Sequence, residues 1–290
     1  MSYKSIRRVW RTRNLDPRLK LLSLGLLVLV ILSSISCVAA VRSSSPGPVR
    51  TQVDVVFWDS LAPFGTWEWI EVHGWIWIPN DLPVGWHPYT YGHWVYSSYG
   101  WTWVSTWEWG WAPFHYGRWL HHPRFGWIWK PGSVWAPAWV EWRFGGGWIG
   151  WAPLPPGARW NDGLHWSAGI SIGIDGWIFV PDRHFTTLQL REHILPGSRD
   201  AGLLDRTRVV TRFETAERGS VRDRGLDPGV FERQTGVTVP RVKIEERQNP
   251  PPTAAPRPRD GRLEVYRPPL EQKPGGDRKP ARKKPGRGRG

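Results

Sequence analysis

Histidine and carboxylate side chains have the widest chemical range in this chain, and most lie between residues 58 and 177. Seven of the nine histidines fall there, namely His73, His87, His93, His115, His121, His122 and His165. A zinc site needs three or four ligands that converge on one point. On a strand, His121 and His122 would face opposite sides. We therefore expect the histidines to border aromatic clusters, with no metal or other cofactor bound.

Eight carboxylates share this region: Asp59, Glu68, Glu71, Asp81, Glu108, Glu141, Asp162 and Asp175. Two carboxylates about 5 to 10 Å apart in a cleft would allow glycoside hydrolysis. Charged residues between tryptophans more often form a solvated face, and the chain has no nucleophile elbow, phosphate loop or dinucleotide fingerprint. Gly145–Gly147 predicts a hairpin turn. We expect no catalytic activity, and a glycan-turnover enzyme stays an alternative.

Tryptophan dominates the same region, since 23 of the 24 tryptophans lie between Trp58 and Trp177. The pattern Gly-Trp-x-Trp starts at residues 74, 100 and 126, so each copy begins 26 residues after the last. Such spacing indicates a repeated structural unit rather than one active site. Indole faces can also stack on sugar rings, beside the alternative that nearly all of them form core. The candidate ligand or partner surface comprises Trp75, Trp77, Trp101, Trp103, Trp127 and Trp129.

The repeats predict a mainly β fold built of antiparallel hairpins. Both indoles of a Trp-x-Trp pair lie on one face of a strand, because successive side chains alternate. Glycine before each pair and proline after it bracket short strands and exclude long helices. Residues 119–131 should form one hairpin, with its turn near 123–126. A lone hairpin is marginal in water, so the hairpins must stack on one another.

The N-terminus indicates export. Residues 1–20 carry seven Lys or Arg and one Asp, and residues 21–41 carry no charge. A stretch of this length can span a bilayer as a signal peptide or anchor helix, with the basic flank cytoplasmic. Cleavage after Val38-Ala39-Ala40, an uncleaved inner-membrane anchor and lipid attachment at Cys37 all stay open. Each places the bulk of the chain in the periplasm or cell envelope.

The remaining chain divides by composition. The predicted segments are a basic cytoplasmic stretch at 1–20, the signal or anchor at 21–41, a linker at 42–53, the Trp-rich hairpin domain at 54–181, a small α+β extension at 182–249 and a disordered basic Pro/Gly-rich tail at 250–290. In the extension, Asp227-Pro228 should start a helix that ends at Gly236. Strands are predicted over 208–213 and 237–244.

Charge is concentrated at the ends of the chain. The net charge is +14, yet residues 58–177 hold five Lys or Arg against eight Asp or Glu. Nucleic-acid binding calls for aromatic and cationic groups on one surface, so we do not expect it. The tail should bind anionic lipid or an acidic polymer, or stay solvated without a partner.

Four runs resemble a family of bacterial exported proteins that are rich in tryptophan and proline: Gly110–Trp119, Gly126–Gly132, Trp135–Val140 and Gly150–Gly157. Family members carry no assigned activity and are sometimes attached to a domain like that of the iron-citrate regulator FecR. The resemblance covers roughly residues 55–191 and implies an envelope location, but it supplies no catalytic residue. A FecR-like part is not evident here.

These observations predict a non-catalytic structural or interaction protein of the cell envelope, with an envelope protein or glycan as its partner. A carbohydrate-binding module for peptidoglycan or exopolysaccharide is the alternative. An exposed line of indoles would favour the alternative.

Overall fold

Four antiparallel hairpins form most of the chain between residues 65 and 153. The computed structural model describes residues 50–158, 172–195, 200, 202–247, 249, 257–268 and 270. The hairpin strands are β1 (Gly65–Ile70), β2 (Gly74–Pro79), β3 (Gly92–Ser97), β4 (Gly100–Ser105), β5 (Arg118–His122), β6 (Gly126–Lys130), β7 (Val140–Gly145) and β8 (Trp148–Pro153). The prediction of a mainly β fold with antiparallel sheets is confirmed, as is the hairpin across residues 119–131.

Helix α1 (Gln52–Leu61) precedes the hairpins, and short elements follow them. The following strands are β9 (Ile178–Pro181), β10 (Arg208–Val209), β11 (Phe213–Thr215), β12 (Val221–Asp223), β13 (Lys243–Arg247) and β14 (Arg262–Tyr266), and the following helices are α2 (Gly202–Arg206) and α3 (Pro228–Thr235). The predicted membrane segment at 21–41 lies outside the described residues. Among the helices that are described, none has the length and apolar character to cross a bilayer.

The hairpins do not pair in chain order. The first and third form one sheet with strand order β1-β2-β6-β5, and the fourth lies in a second sheet with order β10-β7-β8-β9. The β3–β4 hairpin packs on the second sheet, where Trp94 lies 4.5 Å from Trp142 and 5.7 Å from Trp151 between ring centroids. Aromatic pairs at such distances add to the area that they bury.

A row of four tryptophans crosses the first sheet. Trp67 is opposite Trp77, Trp77 is opposite Trp129, and Trp129 is opposite Trp119. Helix α1 covers this row, and its buried Phe57 meets Trp129 edge-on with ring centroids 5.3 Å apart. The alternation of strand side chains thus places one tryptophan of every strand in a single hydrophobic layer.

Glycine at the first position of Gly-x-Trp makes room for the indole on the facing strand. A Cβ on Gly65 would lie 2.4 Å from the Trp77 indole nitrogen, and a Cβ on Gly117 would lie 2.7 Å from that of Trp129. Gly92 faces the Trp103 ring at 2.6 Å in the same way. In each of these three hairpins, the glycine at the start of the first strand therefore lies against the second tryptophan of the Gly-Trp-x-Trp strand, where a larger residue would not fit.

Helix α1 begins inside the predicted linker. Thr51 and Asp54 form a capping box, in which the Asp54 amide donates to the Thr51 hydroxyl (3.3 Å) and the Thr51 amide donates to the Asp54 carboxylate (2.8 Å). The expected linker at 42–53 is thus too long at its C-terminal end. The Thr-x-x-Asp pattern is the local signal for this helix start.

Helix α3 of the extension forms as predicted. The Asp227 carboxylate accepts the Val230 amide (2.8 Å), and Gly236 ends the helix at φ +71°. The strand predicted over 208–213 is divided into β10 and β11. The Val210 amide still donates to the Trp142 carbonyl of β7 at 3.0 Å, but the Trp142 amide donates to the Thr211 side-chain hydroxyl at 2.6 Å, so the backbone pairing ends there. The strand predicted over 237–244 forms later in the chain, as β13.

The extension and part of the predicted tail pack into the tryptophan core. The Trp101 indole donates to the Leu226 carbonyl (3.0 Å), and buried Phe231 meets the Trp101 ring at 5.6 Å. Within the tail expected to lack structure, β14 pairs in parallel with β13. Its Leu263 and Val265 are buried, so apolar residues at alternate positions order this segment despite its proline-rich surroundings.

Candidate functional site

The six tryptophans of the candidate ligand surface divide into two groups. Trp77, Trp101, Trp103 and Trp129 are at most 1% exposed, which places them in the core. Trp75 and Trp127 are partly exposed. A ligand that reaches these strands therefore meets only the first indole of two Gly-Trp-x-Trp copies, because the second indole of every copy points into the protein.

Three of these four buried indoles donate their N–H group to a backbone carbonyl inside the fold. The indole N–H groups of Trp77, Trp101 and Trp129 donate to the backbone carbonyls of residues 61, 226 and 116, at 3.1, 3.0 and 2.8 Å. A buried N–H without an acceptor costs free energy, so these bonds fix each ring in one orientation. The indole thereby joins its strand to a neighbouring segment of the chain.

An aromatic edge, comprising Trp58, Trp67, Trp69 and Trp75, lies at one end of the first sheet. Trp69 is opposite Trp75 in the strand register, with ring centroids 5.7 Å apart at 74°. Trp75 meets Trp58 edge-on at 5.0 Å, and Trp58 stacks on Trp67 at 4.7 Å and 11°. Trp69 is 47% exposed, the largest exposure of any tryptophan that the structure describes. A continuous aromatic patch thus reaches solvent.

One cation and one aliphatic side chain extend the aromatic edge. The Arg50 guanidinium carbon lies 3.4 Å from the Trp58 ring centroid and 5.8 Å from that of Trp75. Val72, in the β1–β2 turn, is 83% exposed. A guanidinium over an indole is attracted by the ring quadrupole and still keeps N–H donors for a ligand. The edge therefore offers flat apolar contact and hydrogen-bond donors together.

A second basic group lies near this end of the sheet. The Lys130 ammonium donates to the backbone carbonyl of His73. Burial lowers the pKa of Lys130, although the nearby Asp54 carboxylate acts in the opposite direction. Burial also lowers the pKa of His73, and the positive charge of Lys130 adds to the effect. This end of the first sheet therefore presents positive charge beside the aromatic edge.

Histidines border the tryptophans elsewhere in the fold. His87 meets the partly exposed Trp127 edge-on at 4.3 Å, and His121 approaches the same ring at 5.4 Å. His115 stacks on Trp135 at 5.6 Å and 12°. Burial lowers the pKa of His87 and of His115 to about 4, so both rings are neutral at pH 7. Among the described residues, no three His, Cys, Asp or Glu side chains form a group that could hold a metal ion. His165 and Asp162 lie outside those residues.

Sequence reasoning missed Trp58, Trp67 and Trp69 as site residues. The signal was present, because Trp67-Glu68-Trp69 is itself a Trp-x-Trp pair on the strand that faces residues 75–77. Trp58 lies on α1, which only the capping box indicates. Whether an indole is exposed depends on the position of its strand end in the sheet, which the pattern does not contain.

The four hairpins coincide with a known sequence pattern. Residues 58–158 match the model of a family of unknown function (DUF6600). No curated protein and no solved structure matches the chain. The match runs from the aromatic edge through β8, so this protein is similar to that family over the part of the chain that contains all four hairpins.

Proposed function

We propose that this protein is a non-catalytic interaction protein of the bacterial cell envelope, and that the aromatic edge is its contact surface. The observation that carries the proposal is the 47% exposure of Trp69 in direct contact with Trp75, in a fold that buries most other indoles. Tryptophan and arginine are the side chains most enriched where binding energy concentrates in protein interfaces. An exposed apolar patch with a polar rim is typical of such a surface.

The edge is well ordered for contact because its rings hold one another. Trp69 rests on Trp75, which rests on Trp58, and Trp58 is covered on one side by Arg50. A partner that covers Trp69 gains apolar burial without ordering a mobile side chain, which lowers the entropic cost of association.

The proposed location rests on the N-terminal sequence. A basic segment at 1–20 before an uncharged segment at 21–41 supports export, with the N-terminus cytoplasmic and residues 42–290 outside the cytoplasm. The basic residues after position 270 support attraction to anionic lipid or an acidic envelope polymer. Alkaline phosphatase fused to the C-terminus should be active in a bacterial host. An inactive, stable fusion would contradict export.

A photo-crosslinking residue at position 69 tests the contact surface. The full chain is expressed in bacteria with p-benzoylphenylalanine in place of Trp69 or, as the control, of the fully exposed Val84. Illumination should give a discrete covalent adduct from position 69 and none from position 84. Adducts of equal yield from both positions, or no adduct from position 69, would contradict an interaction at the edge.

Carbohydrate binding is the second candidate, and the exposed face of Trp69 beside Trp75 favours it. Sugars stack on indole faces, and Arg50 could bind hydroxyl or carboxylate groups. Tryptophan fluorescence of the protein is titrated with peptidoglycan fragments and a panel of polysaccharides, using the native chain and Trp69→Ala. A saturable shift with one glycan that Trp69→Ala abolishes would support this candidate. Emission that responds to no glycan would exclude it.

A further inference from the structure

An open cleft of about 520 Å³ lies between the segment before β3 and the segment after β9. Thr90 and Tyr91 line one side, and Leu188, Arg191, Glu192 and Ile194 line the other. None of these residues belongs to the aromatic edge. Small-molecule sites have volumes of about 300 to 1,000 Å³, so the cleft is large enough for a ligand of two or three residues.

The guanidinium of Arg191 is held in position at this cleft. Its Cζ lies 4.3 Å from the ring centroid of Tyr91, and Trp107 packs on the same tyrosine with ring centroids 5.5 Å apart. Stacking on a fixed ring restricts the guanidinium plane and leaves its N–H fork for an acceptor. Within the described chain, Arg191 forms no ion pair. A planar cation in this state suits a carboxylate, which it can bind through two parallel hydrogen bonds.

A carboxylate and hydrogen-bonding groups accompany this cation. Glu192 is exposed and, in the described part of the molecule, makes no ion pair either. The Thr90 hydroxyl donates to the His87 carbonyl at 2.6 Å, which leaves its oxygen lone pairs as acceptors. The cleft therefore provides a donor fork for an anion and separate acceptors for N–H groups. That set matches the two ends of a zwitterion or the backbone of a short peptide.

The apolar part of the cleft distinguishes a peptide from a sugar. Leu188 is 69% exposed, and Ile194 and Leu195 line the same wall. Tyr91 is the aromatic residue of the lining, and Arg191 already lies over its ring. A pyranose would find no free aromatic face to stack on, whereas an aliphatic side chain would bury Leu188.

We propose that this cleft binds the carboxylate end of a short peptide that carries an aliphatic side chain. Arg191 binds the terminal carboxylate, Glu192 accepts a peptide N–H or ammonium group, and Leu188 with Ile194 contacts the side chain. This site is separate from the aromatic edge and would give the protein a small-molecule ligand in addition to its interaction surface.

Isothermal titration of the full chain with the dipeptide Ala-Leu and its C-terminal amide tests the proposal. The amide lacks the terminal negative charge, so it should bind at least tenfold more weakly. Arg191→Gln should weaken Ala-Leu binding by a similar factor and should not further weaken binding of the amide, because both changes remove the same contact. Arg183→Gln, which alters an exposed arginine outside the cleft, should leave the affinity unchanged.

Other results would overturn the proposal. One is equal affinity of the native chain for the dipeptide and its amide, a comparison that needs no variant to fold. A second is failure of the native chain to bind Ala-Leu at millimolar concentration. A third is tighter, Arg191-dependent binding of glucuronic acid, which would make the cleft a site for acidic sugars.

Discussion

The imidazole of His115 is buried inside the fold, and its position should make the stability of the protein depend on pH. Its Nδ1 lies 3.0 Å from the Ala136 carbonyl oxygen, so Nδ1 carries the proton and donates it there. The ring stacks on Trp135, and the Arg267 guanidinium carbon lies 4.1 Å from the other ring of that stack. Protonation would place a second positive charge in this apolar site.

The sign and size follow from the shift in pKa. Burial lowers the pKa of His115 from 6.5 to about 4, and the positive charge of Arg267 contributes. The unfolded chain therefore binds a proton between pH 6.5 and pH 4 that the folded chain excludes. The stabilisation is complete above pH 6.5 and is lost as pH falls through this window. It amounts to about 3 kcal/mol in total, of which about 2 kcal/mol is lost by pH 5.

Urea denaturation of the native chain and of His115→Asn at pH 7 and pH 5 measures this loss. Asparagine can place its amide N–H where Nδ1 lies, so the bond to the Ala136 carbonyl is kept while the titrating group is removed. The native chain should lose about 2 kcal/mol more than the variant between the two pH values. Other titrating groups are common to both proteins and cancel.

Val84→Ala, which changes an exposed side chain that does not titrate, should lose as much stability as the native chain on acidification. If the free energies of unfolding of the native chain and His115→Asn decreased equally as pH falls, the fold would not oppose protonation of His115. The argument from burial would then be wrong.

Three further predictions concern stability. Gly117→Ala should cost more than about 3 kcal/mol, since its Cβ would lie 2.1 Å from a carbonyl oxygen at a φ of +62°, whereas Gly126→Ala, at +69° with open space around it, should cost about 1 kcal/mol in chemical denaturation. Equal losses would refute the close approach of strands. Burial raises the pKa of Asp223 to about 6, so the ionised form opposes folding, and that group contributes stability at low pH which is lost as pH rises through 6. The free energy of unfolding of Asp223→Asn, relative to that of the native chain, should therefore rise by about 2 kcal/mol between pH 4 and pH 7, as measured by urea denaturation at both values. A difference between the two proteins that does not change with pH would contradict the raised pKa. Leu263→Ala should destabilise the protein by about 2 to 4 kcal/mol in thermal or urea unfolding, because β14 buries this side chain, and a neutral effect would show that the C-terminal strand is not part of the core.

Local patterns in the sequence determined the hairpins. Glycine and proline bracket each strand, and alternation places both indoles of Trp-x-Trp on one face, so the hairpin over 119–131 and its turn follow from the residues alone. Asp227, Pro228 and Gly236 define helix α3 in the same local way. These features depend on backbone preferences and side-chain alternation within about ten residues, which is the range that a sequence pattern can encode.

Pairing between hairpins was decided only by the tertiary structure. The repeats are nearly equivalent, so nothing local indicates that β2 lies beside β6 or that the first and third hairpins share a sheet. The exposure of Trp69 and the burial of Trp77 depend on the same choice, because β1 is an edge strand of the first sheet, whereas β2 lies between β1 and β6. The sequence alone thus determines strands, turns and an abundance of aromatic side chains. Which indoles meet solvent, and how Arg191 stacks on Tyr91 across 100 residues, depends on contacts that form only when distant segments pack together.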